Sequence, residues 1–178
     1  CRVHGGLELG GGLIHGGISL PIDGGVSTIE ARRRLTLGGD ATVHVFTYQA
    51  ETDLAHATGA AIIDGWSANP GIDAAGHLAY GPYATDWGAV FASVLFRLQV
   101  DDNTSDNTTV VTLDVYDVTA DEILALRTVT RTQFSAPSTY QDFEVLCDLS
   151  GRAGHEMESR VYWHDVATIA LDRVVVTT

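Results

Sequence analysis

The chain contains no lysine: all ten of its basic residues are arginines, and 23 Asp and Glu residues outnumber them. The resulting formal net charge is −13 at pH 7. Nucleic acids and anionic membrane surfaces attract clustered Lys and Arg, so this balance argues against both as partners. Long apolar runs are also missing, and none approaches the roughly 20 residues of a membrane span. The sequence therefore predicts a folded chain with no nucleic-acid surface and no membrane span.

Cysteine is nearly absent, with only Cys1 and Cys147 in 178 residues. Cys147 alternates with Phe143, Val145 and Leu149, which predicts that its thiol points inward as a small buried hydrophobe. A disulfide between Cys1 and Cys147 stays open as an alternative. Two interpretations of Cys1 also stay open: an arbitrary fragment boundary, or a lipoprotein-like first residue followed by a Gly-rich tether.

Catalytic signatures are missing as well. The seven His residues never occur at HxH or HxxxH spacing, so the sequence offers no zinc pair. No Gly-x-Ser-x-Gly elbow is present, and the Gly-rich start lacks the Lys and Ser/Thr of a phosphate loop. Glu158 and Arg160 lie two residues apart on one predicted strand, where we expect a surface ion pair rather than an acid–base couple. The sequence therefore predicts a protein that is not an enzyme.

From residue 41 to 178 the sequence has the pattern of short strands separated by turn residues. Apolar and polar residues alternate with a period of two, as they do from Val94 to Val100, and β-branched residues dominate. The predicted strands are 42–46, 89–100, 109–118, 123–131, 140–149, 156–164 and 167–176. No long amphipathic helix interrupts them. These features predict an all-β fold, an antiparallel jelly-roll β-sandwich.

Residues 1–40 differ from this pattern and form a predicted Gly-rich N-terminal arm. Gly pairs and triples separate apolar pieces of two or three residues, such as Leu13 with Ile14. Such pieces are too small for a core of their own, so ordering them requires pairing or burial elsewhere. We therefore expect the arm to pack as extended chain against a sheet edge or onto a neighbouring copy of the chain.

Three short motifs carry the functional signal: 48–51 (Tyr-Gln-Ala-Glu), 64–67 (Asp-Gly-Trp-Ser) and 80–83 (Tyr-Gly-Pro-Tyr). Gln49 and Glu51 end an apolar strand two residues apart, which places two oxygen-bearing side chains on one face. Hard cations such as calcium prefer such oxygen ligands. The Trp and Tyr residues lie among Gly, Asp, Asn and Pro, which places them on loops. Aromatic rings on loops beside a rigid sheet are typical of sugar-binding sites, so the sequence favours a binding module.

These motifs, together with 96–103, 112–115, 158–163 and 171–174, resemble the galactose-binding-domain-like sandwiches, and among them the carbohydrate-binding modules of families 6 and 35. The resemblance covers about residues 41–178. It implies a structural calcium ion with these side-chain ligands: Gln49, Glu51 and Asp172. Backbone carbonyls near Asp73 or Gly76 would complete the shell. The alternative is that the two carboxylates are solvated or pair with Arg173 or Arg160.

In that group a sugar binds either at loops at one end of the sandwich or on the concave face of a sheet. The candidates for sugar contact in this chain are Trp66, Tyr80, Tyr83, Trp87, Asp64 and Asn69. The rings supply stacking for a pyranose face, and the Asp and Asn side chains hydrogen-bond hydroxyls. Trp66 is the favoured residue. Alternative interpretations make Tyr83 a turn residue, Trp87 the start of a strand, and Trp163 a core residue.

The predicted function is a non-catalytic module, extracellular or on the cell surface, that binds a polysaccharide or glycan. The alternative is a structural subunit of an extracellular filament or surface assembly, in which the arm docks onto a neighbouring subunit. Asn103 and Asn107 lie in Asn-x-Ser/Thr sequons on a predicted exposed loop, which fits an extracellular context. Chance occurrence in an Asp-, Asn- and Thr-rich loop is the other explanation.

Overall fold

The structure is a computed structural model that describes residues 42–88 and 90–178. The predictions for residues 1–40, including the extended packing of the arm and its docking onto a second copy, lie outside the described residues, as does Cys1. Within the described part, no helix is long and apolar enough to cross a membrane.

Short strands make up most of the described chain. In chain order the strands are β1 (Val45–Gln49), β2 (Ala60–Ile62), β3 (Gly65–Ala68), β4 (Gly76–Ala79), β5 (Pro82–Ala84), β6 (Phe91–Val100), β7 (Thr109–Asp117), β8 (Glu122–Thr130), β9 (Gln141–Asp148), β10 (Met157–Trp163) and β11 (Ile169–Thr177). The helical elements are one turn of α-helix, α1 (Ala50–Asp53), and one 3₁₀ turn (Arg131–Gln133).

The strands form two antiparallel sheets. The first has the order β2-β3-β11-β6-β9, with β1 also paired to β11, and is called the β11 sheet. The second has the order β4-β10-β7-β8, with β5 also paired to β10, and is called the β10 sheet. The predicted all-β antiparallel sandwich is therefore confirmed.

Alternation within the strands decides which side chains form the core. On β6, Val94, Phe96 and Leu98 are fully buried. On β10, Val161 and Trp163 are also fully buried, and Trp163 Nε1 donates to the carbonyl of Ala167 at 2.8 Å. Burying each of these large side chains contributes about 2 kcal/mol. The interpretation of Trp163 as a core residue is confirmed.

Cys147 faces this core from β9 and is 2% exposed. Burial and, to a smaller extent, the charge of Asp148 raise the pKa of its thiol to about 11. The prediction of an inward-facing cysteine is confirmed. Because the thiolate is the reactive form, this thiol is chemically inert at neutral pH in the folded chain.

Candidate functional site

Strand alternation turns a second set of side chains outward from the β10 sheet. On β10 these are Glu158, Arg160 and Tyr162, which alternate with the buried Met157, Ser159 and Val161. Antiparallel pairing with β7 gives each outward residue a partner, in the order Tyr116, Asp114 and Thr112. Directly opposed residues on one face have β-carbons roughly 4.5–5.5 Å apart, so these side chains form one surface. We define the platform as this set plus the adjoining His77, Tyr80, Tyr83 and His164.

One side of the platform is a row of aromatic rings. The Tyr162 ring meets His77 of β4 and His164 in edge-on contacts, with centroid distances of 5.3 and 5.1 Å. Tyr80 continues the row, because its ring centroid lies 6.0 Å from that of His77. At the other end, His164 Nε2 and the Thr112 hydroxyl share a 2.8 Å hydrogen bond. Neighbouring strands therefore hold these rings in fixed positions.

The centre of the platform carries an ion pair. Arg160 Nε donates to Asp114 Oδ1 at 2.6 Å, and the guanidinium carbon lies 3.8 Å from the centroid of the Tyr116 ring. Burial raises the pKa of Asp114, and the hydrogen bond and charge of Arg160 offset part of that effect. The expected ion pair between Glu158 and Arg160 is therefore wrong. The β7–β10 register places Asp114 directly opposite Arg160. A directly opposed residue lies nearer than one that is two residues away on the same strand, as Glu158 is.

Glu158 lies beside this ion pair and is 5% exposed. Across residues 42–88 and 90–178 it forms no salt bridge. Its cross-strand neighbours are Tyr116 on β7 and Pro82 on β5. Burial raises the pKa of Tyr83, and a hydrogen bond to Glu158 raises it further. Glu158 is therefore a largely buried residue that is flanked by tyrosines and has no cationic partner in the described chain.

His77 does not supply the missing positive charge at neutral pH. Burial lowers its pKa from 6.5, the charge of Arg160 lowers it further, and Asp114 and Glu158 act in the opposite direction. The neutral imidazole therefore dominates at pH 7. The central charges of the platform are two carboxylates and one guanidinium.

Two of the six residues predicted to contact sugar, Tyr80 and Tyr83, lie on the platform. Trp87 does not: it is 3% exposed, belongs to the core, and donates from Nε1 to the Tyr48 hydroxyl at 3.0 Å. The prediction of Trp87 as an exposed sugar contact is wrong, because the ring fills space between the sheets. The alternative of a strand start is also wrong, since Trp87 precedes β6.

Trp66 lies in β3 rather than on a loop, and it is half-buried against the core. The His56 ring stacks on it at 3.6 Å between centroids with a 4° interplanar angle. Trp66 Nε1 donates to the Thr58 carbonyl at 2.8 Å, which fixes the indole further. One face of the ring is thus covered by protein. Because Trp66 lies in β3, the prediction that it lies on a loop is wrong.

Asp64 and Asn69 lie at opposite ends of β3, away from the platform. Asp64 is exposed in the β2–β3 turn with φ 57°. Asn69 begins a tight loop, in which its backbone N–H donates to Asp73 Oδ2 at 2.8 Å. The structure therefore groups only Tyr80 and Tyr83 of the six candidates with the platform.

The predicted calcium ligands meet where β11 exchanges one neighbour for another. β3 pairs with residues 169–171 of β11, and β1 pairs with residues 173–177. Asp172 lies at the changeover, where the pairing of β11 with β6 is also irregular. Gln49 ends β1 opposite Arg173, and α1 with Glu51 follows directly. The topology thus brings the ends of β1 and β3 to Asp172.

The carboxylates at this junction have contrasting partners. Asp172 Oδ2 accepts from Arg173 Nη1 at 3.0 Å and forms an ion pair with Arg97 Nε at 3.0 Å, so the alternative of pairing with Arg173 occurs. Glu51 Oε2 is buried and has no hydrogen-bond partner among the described residues. Burial raises the pKa of Tyr140, and Asp172, Asp64 and Glu51 raise it further.

An orphaned carboxylate oxygen beside a second carboxylate and an amide fits an oxygen-coordinated cation, so Gln49, Glu51 and Asp172 suit calcium in donor type. No group of three or more His, Cys, Asp or Glu side chains within the described ranges has a metal-binding arrangement. The predicted calcium ligands include only two carboxylates, and the others are the Gln49 amide and backbone carbonyls. The calcium site stays a prediction.

A separate surface feature is a groove of about 110 Å³ on the β11 sheet. Its lining residues are Ile62, Ser67, Gln99, Val100, Asp101, Ser138, Thr168, Ile169 and Ala170. The lining offers hydroxyl, amide and carboxylate groups but contains no aromatic ring. The platform therefore combines aromatic rings with polar groups, whereas this groove combines aliphatic side chains with polar groups.

Sequence reasoning missed most of the platform. The outward row Glu158, Arg160, Tyr162 and His164 is visible in the alternation of β10. The contribution of β7 and β4 depends on strand register, which alternation within a single strand does not define. The signal for the platform in the sequence is the mixture of rings and charges on one face of β10.

The solved structures to which this chain is similar include two carbohydrate-binding modules and a cyclase. The C-terminal family 6 carbohydrate-binding module of LamC, a marine laminarinase from Zobellia galactanivorans, is 10% identical with a TM-score of 0.48, covering 76% of this chain and 100% of that one. A family 6 module of Cellvibrio mixtus lichenase 5A, in complex with cellotriose, is 14% identical with a TM-score of 0.44, covering 75% and 96%. A Stig cyclase from Fischerella sp. TAU is 10% identical with a TM-score of 0.39, covering 75% and 84%.

These likenesses concern architecture and do not extend to ligand or activity. No family model matches the chain, and no curated protein matches its sequence. The chain is similar in structure to two family 6 carbohydrate-binding modules.

Proposed function

We propose that this chain is a non-catalytic carbohydrate-binding module and that its glycan lies on the platform. The observation that carries the proposal is the row of rings around Tyr162 directly beside the Arg160–Asp114 ion pair. Sugars present apolar CH faces and rims of hydroxyls, so a site for them needs rings and charged hydrogen-bonding groups at close range.

The platform suits this task because its geometry is fixed before a ligand arrives. Three of its strands, β4, β10 and β7, are hydrogen-bonded neighbours. Arg160 is held by Asp114 and by the Tyr116 ring, so little side-chain entropy is lost on binding. An extended glycan would cross the strands, with the rings supplying stacking and the charged groups supplying hydroxyl contacts.

The module is proposed to work outside the cell or on its surface, where polysaccharides are accessible. A structural calcium ion held by Gln49, Glu51 and Asp172 would support the fold away from the platform. When bound, it would supply positive charge for the carboxylates at the junction of β1, β3 and β11. The glycan contacts would come from the chain's own side chains.

The test is binding of the full chain to a glycan array and to insoluble polysaccharides, with Tyr162→Ala as the key variant. We expect affinity to fall roughly tenfold or more, because stacking and ring burial are worth about 1–2 kcal/mol. Phe91→Ala is the matched control, since Phe91 is an exposed ring (65%) on the β11 sheet. Trp66→Ala tests the alternative site in β3, because Trp66 is the residue that the sequence favours for sugar contact.

Two results would contradict the proposal. One is the absence of any glycan ligand for the wild-type chain. The other is a glycan whose affinity falls with Trp66→Ala and not with Tyr162→Ala, which would move the site to β3.

A further inference from the structure

The charges of the platform point to a more specific ligand. We propose that the platform, as the glycan site of the proposed function, takes a sugar that carries a free amine, with its ammonium group on Glu158. Two central carboxylates face one guanidinium, and that guanidinium is already paired with Asp114. The central charge is therefore negative, and a cationic ligand group complements it.

Glu158 is the platform carboxylate that has no ion-pair partner among the described residues. It is 5% exposed. A ligand cation would supply the ion-pair partner that this carboxylate lacks. Arg160 does not serve, because its Nε is 2.6 Å from Asp114 Oδ1 and its guanidinium covers Tyr116.

The surroundings of Glu158 suit an ammonium group as well. Tyr83, which lies within hydrogen-bonding reach of Glu158, is 46% exposed, so its ring is open to a ligand. Cations are attracted to the faces of aromatic rings, and the adjacent Arg160–Tyr116 contact already shows this geometry. A carboxylate beside an open tyrosine ring is the combination that recognises a protonated amine.

The same charges disfavour the opposite ligand class. A uronic acid or a sulfated sugar would bring its negative charge next to Asp114 and Glu158. The net charge of −13 adds long-range repulsion for such a ligand and attraction for an amine-bearing one. Neutral sugars avoid the repulsion but leave Glu158 without a cation.

The experiment compares three ligands of equal length at physiological salt: the glucosamine trimer, the N-acetylglucosamine trimer and cellotriose. For the wild-type chain we expect the glucosamine trimer to bind about tenfold tighter than the other two, which corresponds to ~1.4 kcal/mol. Glu158→Gln should reduce its affinity to the level of the acetylated trimer. Glu156→Gln removes the same charge from an exposed side chain two residues away and should leave the preference unchanged.

Equal affinity of the wild-type chain for the three trimers overturns the inference without any variant, so a folding defect in Glu158→Gln cannot hide the answer. A preference that Glu156→Gln reduces as much as Glu158→Gln also overturns it, because general surface charge would then be the cause. If neutral trimers bind equally well and Tyr162→Ala removes that binding, the proposed function stands while the amine preference fails. If no glycan binds at the platform, both fail.

Discussion

At the scale of single residues, two aspartates of β7 show how the side of a strand decides the chemistry of a carboxyl group. Asp114 faces outward on the platform, and burial raises its pKa. Asp117, three residues later, is fully buried. Burial acts to raise its pKa, but the hydrogen bonds from His155 and the Ala120 N–H outweigh burial, and the pKa is lowered. Arg152 Nη1 at 3.0 Å completes the surroundings of Asp117.

Asp117→Asn should lower the free energy of unfolding at pH 7 by about 3 kcal/mol, because it removes the buried carboxylate that the partly buried His155 and Arg152 contact. Since the folded pKa of Asp117 lies below its ordinary value of 3.8, its stabilisation is present above that pH. It is lost as the pH falls through the lower folded value. Urea unfolding at a series of pH values measures both effects.

The difference in the free energy of unfolding between wild type and Asp117→Asn should therefore become smaller below about pH 4. Asp101→Asn, a change on an exposed aspartate, is the control and should leave stability unchanged at all pH values. The opposite outcome is a wild-type chain that becomes more stable on acidification and an Asp117→Asn variant whose stability is unchanged. It would show that the effect of burial on the pKa of Asp117 exceeds that of its hydrogen bonds. Asp114 contributes with the opposite sign, because its raised pKa favours the folded state at low pH.

At the scale of elements, the long strands could be predicted from the sequence and the short ones could not. β6, β7, β9, β10 and β11 each span seven to ten residues, enough to show alternation with a period of two. β2 to β5 span three or four residues, and β3, β4 and β5 begin with Gly or Pro, so this part of the sequence resembles loops. For this reason the sequence around Trp66 predicts a loop. Tyr80 and Tyr83 could be proposed from residue type, but the pairing of Arg160 with Asp114 required the β7–β10 register.

Gly65 is the residue that permits β3 to lie against β11. A Cβ placed on Gly65 would lie 2.3 Å from the Leu171 carbonyl oxygen, and its φ is +149°. Gly65→Ala should therefore destabilise the fold by about 2–3 kcal/mol, since the obstacle is backbone and cannot rotate away. Gly88→Ala is the control, because nothing lies within 4 Å of a Cβ there. Equal unfolding midpoints for the two variants would show that the approach of β3 to β11 is not tight in solution.

At the scale of the whole molecule, the first and last strands of the described chain pair with each other. β1, the first described strand, pairs with β11, the last, from Val45 opposite Thr177 to Gln49 opposite Arg173. The platform lies on the other sheet, so the closure and the proposed glycan site are separate parts of one sandwich. The sequence predicted the meeting of these strands only through its family resemblance, because pairing between residues about 130 apart leaves no local signal.

Calcium is expected to act on this closure. A cation held by Gln49, Glu51 and Asp172 would join β1 to β11 and give the orphaned Glu51 Oε2 a partner. Because a ligand that binds only the folded state stabilises it by mass action, calcium at about 100 times its Kd should add ~2.7 kcal/mol. Thermal unfolding of the wild-type chain should therefore show a higher midpoint in calcium than in chelator. Glu51→Gln should reduce that difference, whereas the exposed Glu156→Gln should retain it. An identical wild-type midpoint in calcium and chelator would mean that Arg97 and Arg173, each 3.0 Å from Asp172 Oδ2, supply all the positive charge that this junction uses.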